Sequence, residues 1–244
     1  MVVNFFAKDK IYLPGQRIEE YTVIDIIGEG KYGICYLVCK ESEKYILKQL
    51  KTKVLRRSGP KAVYEEEVLA HIEHDRIPKL VRKIKSEELT GYVLEFMEGK
   101  TFEEIVFYDY RIFKRPEIYD VGIQLITILK YLHKNQIAHR DIRLPNVIYK
   151  DKRVYLVDFG LARWISHEYK RDVDFSYLGD FLLHLYYTSY EGGNGKSRPW
   201  YEELNLSQKE LHLLQRLMGI KERYKDIQEA ENDFLQMSQI EQVS

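Results

Sequence analysis

An α+β fold is predicted, with a β-rich lobe carrying one helix ahead of a mainly helical lobe. Three observations predict it. The first 97 residues hold short runs of β-branched and aromatic residues. A helical period dominates the remainder of the chain. The change falls at one place, near Glu95–Gly99. The chain has 244 residues, 45% hydrophobic and 31% charged, enough to bury a sizeable core as one domain of two lobes. It divides into an extension (1–17), an N-lobe (18–97) and a C-lobe (98–244).

The N-lobe elements come in order. "YTVIDIIG" (Tyr21–Gly28) and "GICYLVCK" (Gly33–Lys40) read as strands around a glycine-rich turn, and "EKYILKQL" (Glu43–Leu50) as a third. "GPKAVYEEEVLAHIEH" places Val63, Val68, Leu69 and Ile72 at helical spacing, with Pro60 near its start. Two more strands are expected around Lys79–Lys85 and Gly91–Phe96. In the C-lobe, "PEIYDVGIQLITILKYLHKN" carries Val121, Leu125, Ile128, Leu129 and Leu132 on one apolar face. "NVIYK" and "RVYLVDF" read as short strands. "DFSYLGDFLLHLYYTSY" is apolar nearly all round, as a buried helix is. "SQKELHLLQRLMGI" is amphipathic, and a last helix is expected from Lys225 to Gln236.

Composition narrows the function. Lys+Arg and Asp+Glu are 38 each, so the net charge is zero, which speaks against a nucleic-acid partner. No apolar run has bilayer length, and "MVVNFFAKDK" is a poor signal peptide, so no membrane is expected and the cytoplasm is. Cys35 and Cys39 make no disulfide framework, which fits a reducing compartment. Four apart in a strand, they share a face and read as half-buried thiols.

"GEGKYG" (Gly28, Gly30, Gly33) matches G-x-G-x-x-G. A dinucleotide loop needs a helix next, to hold the pyrophosphate at its N-terminus. Here a strand comes next, which suits a lid over ATP phosphates. "GGNGKS" imitates a phosphate loop, but Tyr190 stands where the pattern needs glycine, and it reads as a surface loop. "HIEH" lacks the spacing of a zinc motif.

"HRDIRLPN" (His139–Asn146) spaces Asp141 and Asn146 as in H-R-D-x-x-x-x-N, "DFG" comes after it at Asp158–Gly160, and Lys48 ends "YILK". With these motifs in order, the chain resembles the eukaryotic-type (Hanks-type) protein kinases from about Ile18 to Phe234. More narrowly it is similar to the small soluble single-domain serine/threonine kinases of bacilli, the YbdM/YrzF kind. Shared features are "LKQL", the "RxPN" ending of the catalytic loop and the tail "WYEELNLS…LLQRLMGI".

The resemblance implies a bilobal protein-kinase fold and a set of roles. Gly28, Gly30 and Gly33 would set backbone N–H groups on the ATP phosphates. Lys48 would hold the α- and β-phosphates and be fixed by Glu65, which lies four before Leu69, seven before Ile72 and nine before His74. Asp141 would orient the acceptor hydroxyl and take its proton. Arg143 stands where many serine/threonine kinases have lysine and would face the γ-phosphate. Asp158 and Asn146 would hold Mg²⁺ or Mn²⁺. Adenine would lie against the backbone of Glu95–Met97, with Leu94 as gatekeeper, Cys35 above and Ile148 below. Ile46 replaces the family's alanine and narrows that slot.

The implied function is transfer of the γ-phosphate of ATP to serine or threonine in a protein substrate, with autophosphorylation. Two other readings use the same residues: a nucleotide-binding pseudokinase scaffold, and a small-molecule kinase or ATPase of the same fold.

One segment is short. Asp174, five before Gly179, matches the buried aspartate that opens the family's central helix. The activation segment is then only 158–174, without an A-P-E triplet. The shelf that binds peptide would be largely lost, Arg140 would lack its phosphorylated partner, and activity would not depend on phosphorylation of Ser166, Tyr169 or Ser176, so replacing the three together with non-phosphorylatable residues would leave it intact.

Overall fold

The computed structural model describes residues 9–58, 64–86, 88–192 and 198–238. Pro60, Val63, nearly all of the "GGNGKS" loop and the first eight residues lie outside them. The chain divides into two compact units, Met1–Met97 and Glu98–Ser244.

The first unit is an antiparallel sheet of six strands in the order β1-β2-β3-β4-β6-β5. These are β1 (Arg17–Ile18), β2 (Tyr21–Glu29), β3 (Gly33–Lys40), β4 (Glu43–Leu50), β5 (Leu80–Lys85) and β6 (Thr90–Glu95). Alternation along β3 decides its faces. Ile34, Tyr36 and Val38 are buried with Tyr12, Tyr21, Leu47, Ile84 and Val93 in one core. Cys35, Leu37 and Cys39 point the other way and are half-buried.

Among the described residues this unit has two helices, not one: α1 (Thr52–Ser58) and α2 (Tyr64–Leu69). Sequence periodicity passes over α1 because its N-terminus is satisfied from a distance. Both the backbone N–H and the hydroxyl of Thr52 donate to Oδ1 of Asp9, at 2.8 and 2.6 Å. α2 stops at Leu69, short of the period read through Ile72, and the chain continues in turns.

The second unit begins with β7 (Lys100–Thr101) and α3 (Phe102–Phe107), a helix absent from the sequence reading. Thr101 and Glu104 close a capping box at its start. α4 (Arg115–Lys134) is next, with Pro116 in its first turn. Val121, Leu125, Ile128, Leu129 and Leu132 are fully buried on it. β9 (Val147–Lys150) pairs with β7 and with β10 (Arg153–Leu156), while β8 (Ile137–Ala138) pairs with β11 (Arg163–Trp164). β10 ends before the aspartate of "DFG", because Phe159–Leu161 turns as a 3₁₀ helix.

α5 (Asp172–Tyr187) is buried on most sides, as its composition predicts. The short α6 (Trp200–Glu203), then α7 (Gln208–Leu217) and α8 (Ile227–Ser238) complete the unit. Ser207 and Glu210 form the capping box of α7, and Gly219 at φ +74° lies just past its end. α4 and α8 meet so closely that a Cβ on Gly122 would strike the ring of Phe234. Among the described residues no helix is long and apolar enough to cross a membrane.

Candidate active site

In the first unit the sheet register sets the site. Cys35 pairs with Lys48 across β3–β4, and Lys48 with Tyr92 across β4–β6. Two residues along, Leu37, Ile46 and Leu94 form the next row. Residues two apart share a face, so Cys35, Ile46, Lys48 and Leu94 rise together, opposite the core of Tyr36, Leu47 and Val93.

Nζ of Lys48 donates to Oε1 of Glu65 at 2.6 Å. Glu65 is only 7% exposed, and a buried carboxylate needs such a partner. The next two glutamates go elsewhere: Glu66 pairs with Lys83 at 2.5 Å and Glu67 faces solvent. A residue outside the sequence reading joins the pair. The hydroxyl of Tyr92 donates to Oε2 of Glu65, also at 2.6 Å.

The three loop glycines differ. Gly30 N–H donates to the Gly33 carbonyl at 2.9 Å, closing the turn. A Cβ on Gly33 would collide with the Gln49 carbonyl of β4, whereas one on Gly28 or Gly30 would meet open space. At the end of β6 the Glu95 N–H is committed to the Lys79 carbonyl, and Met97 is buried.

The second unit holds the loop His139–Asn146. Asp141 is 5% exposed, and its carboxylate accepts three bonds. Arg143 donates from Nε to Oδ1 at 2.5 Å and from Nη2 to Oδ2 at 2.9 Å; Nδ2 of Asn146 donates to Oδ2 at 2.8 Å. Arg143 thus sits on the aspartate itself. That bond, ahead of the direct charge attraction, raises the pKa of its guanidinium against the effect of burial. Nδ2 of Asn146 also donates to the Asp141 carbonyl at 2.9 Å, so the amide oxygen turns away from Asp141.

The Val157 N–H donates to the Asn146 carbonyl at 2.9 Å, tying the approach to Asp158 to this loop. Asp158 is exposed and left-handed, at φ 60° and ψ 79°, and its Oδ1 accepts from the Gly160 N–H at 3.3 Å. Ile148 lies on β9, half-buried.

Buried charge and rings brace the loop. Asp174 is fully buried at the start of α5. Its carboxylate accepts from the N–H of Arg140 at 2.6 Å, the N–H of His139 at 3.1 Å and Nε2 of His133 at 2.8 Å. His139 packs edge-on against Phe159, ring centroids 4.6 Å apart. Its Nε2–H donates to the Val157 carbonyl at 3.2 Å, and its Nδ1 accepts from the Asp141 N–H at 3.3 Å. Burial lowers the pKa of His139, which suits this neutral form.

The bridge between "DFG" and α5 is built. β11 pairs with β8, the Ile165 N–H donates to the Gln136 carbonyl at 2.7 Å, and Ser166–Tyr169 closes a turn. Arg140 meets an unmodified ring: its guanidinium lies 4.8 Å from the ring centroid of Tyr169, and that of Arg163 lies 6.0 Å from the same ring. Neither Tyr92 nor Tyr169 has a local sequence signal, since each finds its partner through the fold.

Residues 21–191 match the protein kinase domain family. The chain belongs to the protein kinase family. Over 216 residues this kinase-family chain is 35% identical to the probable serine/threonine-protein kinase YbdM of Bacillus subtilis (strain 168), covering 84% of each chain. Over 156 residues it is 30% identical to the serine/threonine-protein kinase TIO of Arabidopsis thaliana, a match to 61% of this chain and 11% of that protein. Nek1, a serine/threonine-protein kinase of Mus musculus, is 29% identical over 154 residues, 61% of this chain and 13% of its own. The α+β fold is that of a protein kinase, and the protein is a phosphotransferase. The family uses ATP and a divalent metal ion.

Proposed function

We propose that this phosphotransferase moves the γ-phosphoryl group of ATP to serine and threonine hydroxyls of proteins, itself included, in the cytoplasm. One observation carries the reading. Asp141 is buried, ionically paired and locked to Asn146, so a carboxylate and an amide oxygen are presented in fixed relation. Phosphoryl transfer is mostly positioning and charge stabilisation, and such rigidity serves both.

The chain's own residues divide the work. Lys48, steadied by Glu65, binds phosphate oxygens. Gly28–Gly33 brings backbone N–H groups to them. Cys35, Ile46, Leu94 and Ile148 line the adenine, and the backbone of Glu95–Met97 pairs with its edge. Asp141 orients the acceptor hydroxyl and takes its proton. Arg143 on both oxygens and Asn146 on one hold that carboxylate in a single orientation for the acceptor.

The donor set fits magnesium or manganese. Asp158 and Asn146 offer hard oxygen atoms, and the hydrogen bonds of Asn146 leave its carbonyl oxygen to coordinate. Among the described residues no group of three His, Cys, Asp or Glu could hold a metal ion; beside Asp158 and Asn146, phosphate oxygens and water would be the further hard ligands. The bound metal ion would supply charge compensation for the transferred group.

The test incubates the protein with γ-labelled ATP and Mg²⁺ or Mn²⁺, alone and with an acceptor protein, beside Asp141→Asn and Asp158→Asn. Label on serine or threonine that both substitutions abolish is expected. Release of free phosphate alone, or binding without turnover, overturns the proposal.

A further inference from the structure

We propose that Tyr92 is a positioning residue for the Lys48–Glu65 pair, fixing Glu65 through its hydroxyl. The inference rests on the kinase reading of that pair.

The sheet makes the arrangement specific. Lys48 and Tyr92 are direct cross-strand neighbours on β4 and β6, so both side chains leave one face side by side. They end on different oxygens of one carboxylate, Lys48 on Oε1 and Tyr92 on Oε2. One donor alone leaves a carboxylate free to swing about it. Two donors from adjacent strands fix its position and its plane.

The platform beneath them is tight. A Cβ on Gly91 would collide with the Lys48 carbonyl, so β6 approaches β4 as closely as a backbone can. The ring of Tyr92 is buried, which sets the height of its hydroxyl.

The partner side needs this help. Glu65 lies in the first turn of α2, which spans only Tyr64–Leu69. So short a helix has little stability of its own and takes its place from the contacts it makes. The Tyr92 hydroxyl is one that acts directly on the functional carboxylate. Nothing in it requires a modified residue, so Glu65 is held on Lys48 in the unmodified chain.

The test reads Lys48 itself, without nucleotide. The rate at which a water-soluble acylating reagent labels its amine is monitored by mass spectrometry at one pH. Tyr92→Phe is expected to raise that rate about five- to tenfold, within the range for losing one ordinary hydrogen bond, because the effect reaches Lys48 only through Glu65. Glu65→Gln should raise it too, and adding Tyr92→Phe to Glu65→Gln should change nothing further, because the tyrosine acts through the glutamate. Tyr36→Phe is the control. It removes another buried hydroxyl, which donates to Oε1 of Gln49 at 2.9 Å, and should leave the labelling unchanged.

With ATP, kcat/KM should fall by a similar factor in Tyr92→Phe, and adding Tyr92→Phe to Glu65→Gln should lower it no further than Glu65→Gln alone. A wild-type labelling rate in Tyr92→Phe, or an equal rise in Tyr36→Phe, overturns the proposal. So does a Tyr92→Phe protein that fails to fold while Tyr36→Phe folds, since the hydroxyl would then serve the core. The expected labelling pattern without turnover in any variant supports the positioning role and overturns the kinase reading instead.

Discussion

Replacing Asp174 with alanine should destabilise the second unit and disable the loop that carries Asp141. Three donors lose their acceptor: the backbone N–H groups of His139 and Arg140, and Nε2 of His133. All meet a carboxylate with no solvent exposure, so water does not replace it freely. Each orphaned donor costs about 1–3 kcal/mol, and removing one member of a buried charged network about 3–5 kcal/mol in all. For a chain of this size 1 kcal/mol moves Tm by about 2–4 °C, so a fall of about 6–20 °C is expected. The effect reaches the chemistry because Arg140 is held at φ 67°, a conformation costing about 1–3 kcal/mol for a residue with a side chain. Without Asp174 that residue relaxes and Asp141 moves with it. Thermal unfolding measures the first effect, and phosphate transfer well below the new Tm measures the second. Asp174→Asn keeps the shape and one acceptor oxygen and should fall between. A Tm within about 2 °C of wild type for Asp174→Ala, with activity retained, would refute this mechanism.

Tyr169→Ala should lower activity about 2- to 30-fold, the kinetic equivalent of a cation–π contact of about 0.5–2 kcal/mol, while Tyr169→Phe keeps the ring under Arg140 and stays near wild type. Phosphatase treatment should change neither rate; equal losses in the two variants would assign the effect to the hydroxyl. In the glycine loop, Gly33→Ala should lower Tm through its clash with the Gln49 carbonyl, whereas Gly30→Ala should spare Tm and raise KM for ATP. Glu210, buried between Arg115, Tyr119 and Tyr186, predicts a pH dependence. Burial pushes its pKa up, but bonds from Ser207 and Arg115 prevail and hold it below 4.5, so its stabilisation is present above pH 4.5 and lost as the pH falls through the folded pKa. Urea midpoints between about pH 7 and about pH 3.5 should show that loss in wild type and less of it in Glu210→Gln.

Much of this was legible in the amino-acid order because it is local. Alternation in "GICYLVCK" decides which side chains share a face. Asp141, Arg143 and Asn146 lie within six residues, so one loop conformation brings them together. The strand after Gly28–Gly33 separates this loop from a dinucleotide site without any coordinates. The capping partners Ser207 and Glu210 sit three apart, where one helical turn joins them.

Other features required the folded chain. α1 starts where it does because Asp9, 43 residues away, receives its first N–H. Arg143 lies on Asp141, and Arg140 meets the ring of Tyr169 instead of standing alone. Tyr92 reaches Glu65 across 27 residues. A short-period pattern records which face a residue takes, since burial of that face is its cause. It carries no record of which distant side chain waits there. The amino-acid order by itself therefore determined the lobes, the family motifs and the shortened bridge. Only the tertiary structure decided the second donor that holds Glu65, the buried acceptor that holds the backbone of Arg140 and the ring that meets its guanidinium, because sheet register and helix packing bring those partners within hydrogen-bond or ring-contact distance.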